Sequence, residues 1–337
     1  MNILHIVPEF DEGGVERYVV QLCHEQITHG HSITLATKGG HLEKYLPESV
    51  RVLHLPVHRK NLFTGLYSAH VLAKLPAFTV IHAHSRVPAW IAWRLSALTR
   101  TPWLMTAHAP YSLNAGLLPL RHADGVICVS EAVAHELSGY LPANTITIPN
   151  GVRKPKTFWQ GSYFPENTRL LYVGYLSRRK GLNIALQALG NLKGYSWTLD
   201  VVGDGSQRGE FESLAESLGL SERVKFWGFR DDAEDFMSRA ACLVFPSFQE
   251  GLPLTVNEAL AVGLPVLASD IEPLRPLADG ELVRAGDVSA WTEAIRTVLD
   301  GGAASPLRAD RLTSFEETAQ RTEDFYRKIL ADRKARK

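Results

Sequence analysis

The sequence predicts an α/β protein built as two domains, each a doubly wound parallel sheet. Three observations predict this. A chain of 337 residues is longer than one ordinary core holds together. Short apolar segments alternate with helical stretches along most of it, the pattern of repeated βα units. The alternation breaks once, across Ile146–Thr168, where Pro149, Asn150-Gly151, Pro155 and Pro165 are turn and linker signals. The expected division is therefore 1–148, 149–310, and a last helical segment 311–337 that returns toward the first domain.

The elements follow in order. "NILHIV" (Asn2–Val7) reads as a buried strand, and a Gly-Gly loop leads from it into a helix. In that helix Val15, Tyr18, Val19, Leu22, Cys23 and Ile27 recur at three- and four-residue spacing, the stripe of a helix lying on a sheet. "SITLAT", "VRVLHL", "TVIHAH", "PWLMTA" and "GVICVS" supply further strands, with helices at Pro88–Leu98 and after a Ser130 cap. Beyond the break come "RLLYVGY", "WTLDVVG", "RVKFWGF", "ACLVF" and "PVLASD", separated by helices at Gly181–Leu192, Gln207–Leu218 and Ala233–Ala240. One long helix with a basic end is expected from about Asp310 to Arg336.

Composition narrows the function classes. The chain is 45% hydrophobic and 21% charged, as in globular proteins, and its formal net charge is zero. That removes the global electrostatic case for nucleic acid. The three cysteines, Cys23, Cys128 and Cys242, stand far apart in apolar contexts without metal-ligand spacing. They read as buried hydrophobes of a reduced, cytoplasmic protein. No run approaches the ~20 apolar residues of a membrane span, and "MNILHIVPEF" lacks the basic and long apolar regions of a secretory signal.

Open α/β sheets bind ligands at the carboxyl ends of their strands, where helix N-termini present free N–H groups. Four loops are in that position: Gly13-Gly14, "GYLSRRKGL" (Gly174–Leu182), "GDG" (Gly203–Gly205) and "QEGLPLTVNEAL" (Gln249–Leu260). A glycine pair after a strand is commonly only a turn. "SRRKG" carries more information, because three cations lead into a helix start that already favours anions. In the fourth loop Glu250 and Glu258 stand eight apart around a Gly-Leu-Pro turn. Carboxylates accept hydrogen bonds and so match the vicinal hydroxyls of a sugar. The alternative is a pair of glutamates that merely complements a helix dipole.

Those residues carry a resemblance. "FPSFQEGLPLTVNEALAVGLPVLASD" resembles the Glu-x7-Glu signature of the retaining glycosyltransferases of family 4, which have the GT-B fold: two Rossmann-like domains facing across a cleft. "GGVER", "IHAHS", "TAHAP", "IPNGV", "VGYLSRRKGL" and "VVGDGSQRGEFESLAESLGLSERVKFWGF" resemble further family segments in the right order. The resemblance implies a nucleoside-diphospho-sugar donor held mainly by the second domain and an acceptor held mainly by the first. It implies that Glu258 holds the ribose, that Glu250 touches the transferred sugar, and that the backbone at Leu254 and Thr255 faces the β-phosphate. Lys180 and Arg179 would neutralise the diphosphate, Gly14 would close over it, and His108 would lie near the reacting sugar. The base would meet Gly203 and the Phe229-Arg230 loop. Many relatives have arginine where this chain has Tyr175, so either Arg178 or Arg179 takes that part.

The chain contains no Asp-x-Asp, the usual diphosphate-metal ligand pair. A metal-independent reaction is therefore expected, with cations and helix dipoles stabilising the leaving group. Retention without a protein nucleophile implies attack on the face the leaving group departs from, with donor phosphate helping to take the proton. No cofactor is expected. His108 alone reads as readily as a structural histidine, and the same holds for His82 and His84. Glu16 and His84 are the acceptor-side candidates, although Glu16 also suits a helix dipole. Enzymes of this kind often work on glycan or lipid-linked glycan acceptors, so the resemblance implies a role in cell-envelope polysaccharide or lipopolysaccharide synthesis. "VHRKNLFTGLYSAHVLAKL" (Val57–Leu75) joins a basic end to an apolar helix face, suited to an anionic membrane or to packing on its own sheet. UDP-sugars are favoured over GDP-sugars on general frequency. The rivals are a GT-B epimerase or glycogen-synthase-like enzyme, and a non-catalytic nucleotide-sugar-binding module. A dehydrogenase would need the G-x-G-x-x-G turn that is missing here.

Overall fold

The computed structural model describes the chain apart from residues 12, 162–167, 252, 303, 305–306 and 336–337. Those omissions take in part of the expected linker, one residue of the "EGGVER" loop, the leucine of the Gly-Leu-Pro turn and the end of the basic tail. The chain divides into two compact units, Met1–Gly151 together with Phe315–Lys337, and Val152–Ser314.

In the first unit β1 (Asn2–Ile6) is followed by α1 (Gly14–Thr28), β2 (Ser32–Thr37), β3 (Arg51–His54), α2 (Leu62–Ala73) and β4 (Val80–Ala83). Next come α3 (Arg86–Thr99), β5 (Trp103–Ala107), β6 (Gly125–Cys128), α4 (Glu131–Glu136) and β7 (Thr145–Thr147). The seven strands are all parallel, in the order β3-β2-β1-β4-β5-β6-β7. The central strands β4, β5 and β6 are buried at every position, which is why they read as unbroken apolar runs. Ser130 caps α4 by accepting from the Val133 amide at 3.3 Å.

In the second unit β8 (Thr168–Val173), α5 (Leu182–Gly190), β9 (Trp197–Val202), α6 (Arg208–Ser217) and β10 (Val224–Gly228) are followed by α7 (Ala233–Arg239) and β11 (Cys242–Phe245). The unit ends with α8 (Leu254–Val262), β12 (Val266–Ala268) and α9 (Val288–Leu299). Its five strands are also parallel, ordered β10-β9-β8-β11-β12. Sequence reading misses α9. The structure shows Asp287 capping it through the Ala290 amide at 3.0 Å, with Trp291, Ile295, Val298 and Leu299 buried in the core.

The segment after β7 is less linker-like than its prolines suggest. Trp159 donates from its backbone to Val262 and from its indole to Ala240, both at 2.8 Å, and Glu234 accepts from the amides of Lys156 and Thr157. The last helix, α10 (Phe315–Ala335), starts later than the sequence pattern predicts, because Ala309–Arg311 forms a separate 3-10 turn. It packs in the first unit, where Gly125 leaves room for it: a Cβ there would stand 2.7 Å from the Phe325 ring. Arg333 reaches Asp124 at 2.8 Å, and Arg321 donates to the Thr147 carbonyl at 2.9 Å.

Candidate active site

The strand order of the second sheet reverses between β8 and β11, so the crevice for a ligand opens beyond their carboxyl ends. The loops there are "GYLSRRKG" after β8 and "PSFQEG" after β11. Two contacts press these loops together, and a third packs the end of β9 against the first of them. Gly181 has φ +72°, and a Cβ on it would stand 1.9 Å from the Pro246 carbonyl oxygen. Gly203, at φ +132°, would place one 2.0 Å from the carbonyl of Gly174. The Phe248 amide donates to the Arg179 carbonyl at 2.9 Å. Any side chain at either glycine would push the loops apart.

One ion pair joins them. Lys180 Nζ lies 2.6 Å and 2.8 Å from the two carboxylate oxygens of Glu250, and Ser247 Oγ donates to the first at 2.6 Å. The Glu250 side chain is 8% exposed and that of Lys180 is 20% exposed, so the carboxylate depends on these donors rather than on water. Beside it begins α8, which has no side-chain cap among the described residues. Pro253 accepts from the amides of Val256 and Asn257, and the N–H groups of Leu254 and Thr255 open the same first turn at the positive end of the helix. Glu258 is half-buried in the following turn. Cation, carboxylate and helix start together suit an anionic, hydroxyl-rich ligand.

The first sheet reverses between β1 and β4, and histidines fill that place. His5 on β1 lies in register with His82 on β4. His5, His82, His84 and His108 are all buried. His108 Nε2 is 3.2 Å from His84 Nδ1, and His84 Nε2 is 2.9 Å from His5 Nδ1. His5 Nε2 is 2.8 Å from Gln26 Oε1, and the Gln26 amide nitrogen donates to the Tyr326 hydroxyl at 3.2 Å. That hydroxyl is 2.6 Å from His82 Nδ1, whose Nε2 is 2.7 Å from Thr106 Oγ1. Burial holds all four imidazoles neutral: it pushes His5 down to about 4 and His108 down to about 3, and holds His82 and His84 well below the usual range. His5, His82 and His84 lie close enough to group around a metal ion. All six of their ring nitrogens, however, are already engaged in these hydrogen bonds.

Residues 12–154 match the family model described as Glycosyltransferase Family 4, and residues 167–301 match the one described as Glycosyl transferases group 1. The chain belongs to the family 4 glycosyltransferases. The lipopolysaccharide core biosynthesis glycosyltransferase LpsE of Rhizobium meliloti is 32% identical over 147 residues, 42% of each chain. The match thus spans less than half the length of that relative. The phosphatidyl-myo-inositol mannosyltransferase of Mycobacterium leprae is 29% identical across 89% of this chain and 87% of its own. Among solved structures, Anabaena Alr3699/HepE in complex with UDP-glucose superposes with a TM-score of 0.77 at 18% identity, covering 99% of this chain and 100% of that one. Two parallel α/β domains and this likeness make the fold GT-B.

In this glycosyltransferase the structure brings together Lys180, Glu250, Leu254, Thr255 and Glu258 around one strand switch. Arg178 is tied to α6 by Glu210, at 2.7 Å and 2.9 Å, whereas the Arg179 guanidinium makes no ion pair among the described residues. Tyr175 accepts from the Ser206 amide at 3.3 Å. Gly203 donates its N–H to Gly228 at 2.8 Å. Arg230 is held in a two-pronged pair with Asp232 at 2.8 Å and 2.6 Å. In the first unit Gly14 is exposed at the start of α1. Glu16 folds its carboxylate over Gly13, where a Cβ would stand 2.1 Å from Oε2. Burial raises the Glu16 carboxyl to about 7, and the charges of Glu9 and Asp11 add to this. His84 is enclosed behind His108.

His5, Gln26, Tyr326 and Ser247 are the residues that motif reading misses. The signal of the first three is weak, because each matters through a partner distant in sequence, whereas Ser247 stands three residues from Glu250 within the motif itself. A groove of about 720 Å³ also opens between α2 and α3, lined by Leu62, Leu66 and Trp90 with Arg59, Lys60 and Arg94. Among the described residues no acid lines it, and the neighbouring Phe63 is 80% exposed.

Proposed function

We propose that this glycosyltransferase moves a sugar, with retention of configuration, from a nucleoside diphosphate sugar to a glycan or lipid-linked glycan of the cell envelope. The observation that carries this reading is the Lys180–Glu250 pair at the strand switch beside the uncapped start of α8. Lys180 and the helix start stabilise the departing diphosphate, while Glu250 accepts hydroxyl protons of the transferred sugar. Arg179 is the arginine that answers for Tyr175, since Arg178 is already spent on Glu210. Leaving-group charge is met by these groups without a metal. UDP is the favoured nucleotide, a choice supported by the neighbour solved with UDP-glucose. Lipopolysaccharide synthesis is supported by the Rhizobium relative.

A thermal-shift panel of UDP, GDP, ADP and NAD, without and then with a divalent cation, tests the donor side. A ligand at a hundred times its dissociation constant stabilises by about 2.7 kcal/mol. Stabilisation by one nucleoside diphosphate without metal supports the reading, and stabilisation by NAD alone overturns it.

On the acceptor side, the groove between α2 and α3 favours an anionic amphiphile. Its apolar floor suits a lipid chain and its unopposed cations suit phosphate. No helix among the described residues is long and apolar enough to cross a membrane. Contact with the cytoplasmic face of the membrane is therefore proposed as peripheral. The enzyme should float with vesicles containing anionic lipid and lose this behaviour in Arg59→Glu/Lys60→Glu. Protein left entirely at the bottom of the gradient counts against membrane contact.

A further inference from the structure

The hydrogen bonds behind His108 have a direction, and distances decide it. Tyr326 has two partners, His82 Nδ1 at 2.6 Å and the Gln26 amide at 3.2 Å. A hydroxyl donor makes short bonds, whereas a neutral N–H donor sits near 2.9 Å or beyond. Tyr326 therefore donates to His82 and accepts from the Gln26 nitrogen. With its nitrogen pointing to Tyr326, Gln26 offers only its oxygen to His5, so His5 carries its proton on Nε2. A neutral imidazole has one proton, which leaves His5 Nδ1 as an acceptor, and His84 must donate to it from Nε2. The same step repeats at His84, whose Nδ1 accepts from His108 Nε2. His108 is thus protonated on Nε2 and bare on Nδ1.

That bare nitrogen is a buried atom with no hydrogen-bond partner among the described residues. A buried lone pair left unsatisfied is costly, and native structures rarely keep one without a use. The ring cannot turn the other nitrogen outward, because His84 holds Nε2 and the Tyr18 ring packs edge-on against it, with centroids 4.9 Å apart. We infer that Tyr326 and Gln26, acting through His5 and His84, lock His108 in its Nε2–H tautomer and leave His108 Nδ1 as a standing acceptor. His5, His84, Gln26 and Tyr326 are positioning residues in this scheme.

The test is nitrogen-15 histidine spectroscopy on the full-length chain, with His108 assigned by the signals missing from His108→Gln. The expected result is one tautomer at His108, with protonated Nε2 and a bare, imine-type Nδ1. A protonated Nδ1, or a signal averaged between the two forms, overturns the lock. Tyr326→Phe keeps the shape of the helix but removes the hydroxyl that orients Gln26, and His108 should then average between tautomers. An unchanged His108 signal in that variant removes Tyr326 from the scheme. If the variant does not fold, the wild-type spectrum still decides the tautomer.

Discussion

Each sheet reverses its strand order once, between β1 and β4 in the first unit and between β8 and β11 in the second. The two places are filled by opposite chemistry. The second holds a charged pair, Lys180 with Glu250, where two loops meet. The first holds four buried neutral histidines bonded in series to Gln26 and Tyr326. A charged pair can exchange one partner for a charged ligand, which suits a diphosphate. A neutral series cannot attract charge, but it can hold one ring nitrogen in a fixed state. The same fold feature is thus used once for charge and once for proton placement.

The comparison breaks most visibly at the charged end. Lys180→Met should destabilise the protein by about 3–5 kcal/mol in urea titration, because the buried Glu250 carboxylate loses its counter-charge. Lys180→Met/Glu250→Gln should recover much of that. A single variant costing under about 1 kcal/mol would show a solvated pair and end the contrast.

Acid tests the neutral end. The four histidines are neutral in the folded protein, yet in the unfolded chain they take protons below their ordinary value of 6.5. Their contribution is complete above about 6.5 and is lost as pH falls, by up to about 1.4 kcal/mol per pH unit for each. Glu16 acts in the opposite sense. Its raised pKa makes the folded state keep a proton that the unfolded chain releases near 4.5, so its contribution is lost as pH rises toward 7. One carboxyl cannot offset four imidazoles, so stability measured by denaturant should fall on going from pH 7 to about pH 5.5. A flat profile would show that the histidines are not buried neutral.

Gly181→Ala probes the loop contact. It should cost about 1–3 kcal/mol and displace Lys180. Gly30→Ala serves as the control: it has a similar φ of +77° but nothing within 4 Å of its Cβ position, so it should cost only the backbone strain. Equal costs at both sites would mean the approach to Pro246 is not tight.

The smallest effect is expected at Glu258. Glu258→Ala should weaken nucleoside diphosphate binding about tenfold by calorimetry, the size of one charge-assisted hydrogen bond. Glu250→Ala should act mainly on turnover, with a stability cost as well because it breaks the same pair as Lys180→Met. Equal and trivial effects would return both residues to complementing a helix dipole.

Much of the fold was legible, for a physical reason. Central parallel strands are buried on both faces, so "TVIHAH" and "ACLVF" announce themselves by composition. α9 was not read, although the Asp287 cap and the Trp291, Ile295 and Val298 spacing were present. Its polar face and glycine-rich exit obscured the pattern. β7 was hidden in the proline segment because it is only three residues long. In α2 the same residues suited an exposed or a packed face, and Phe63 at 80% exposure lies on the exposed one.

By itself the sequence determined the two-sheet architecture, the glycine turns at the strand ends, and the kinds of side chain those turns present. These are local matters, set by backbone conformation and by burial along a single segment. Lys180 and Glu250 could each be named, but 70 residues separate them, and only strand register brings them to 2.6 Å. Gln26 and Tyr326 are 300 residues apart, yet their bond orients the His108 ring. Tertiary structure alone decided such pairings, because a buried polar group takes whichever partner the packed chain delivers within about 3 Å, and no local pattern records that choice.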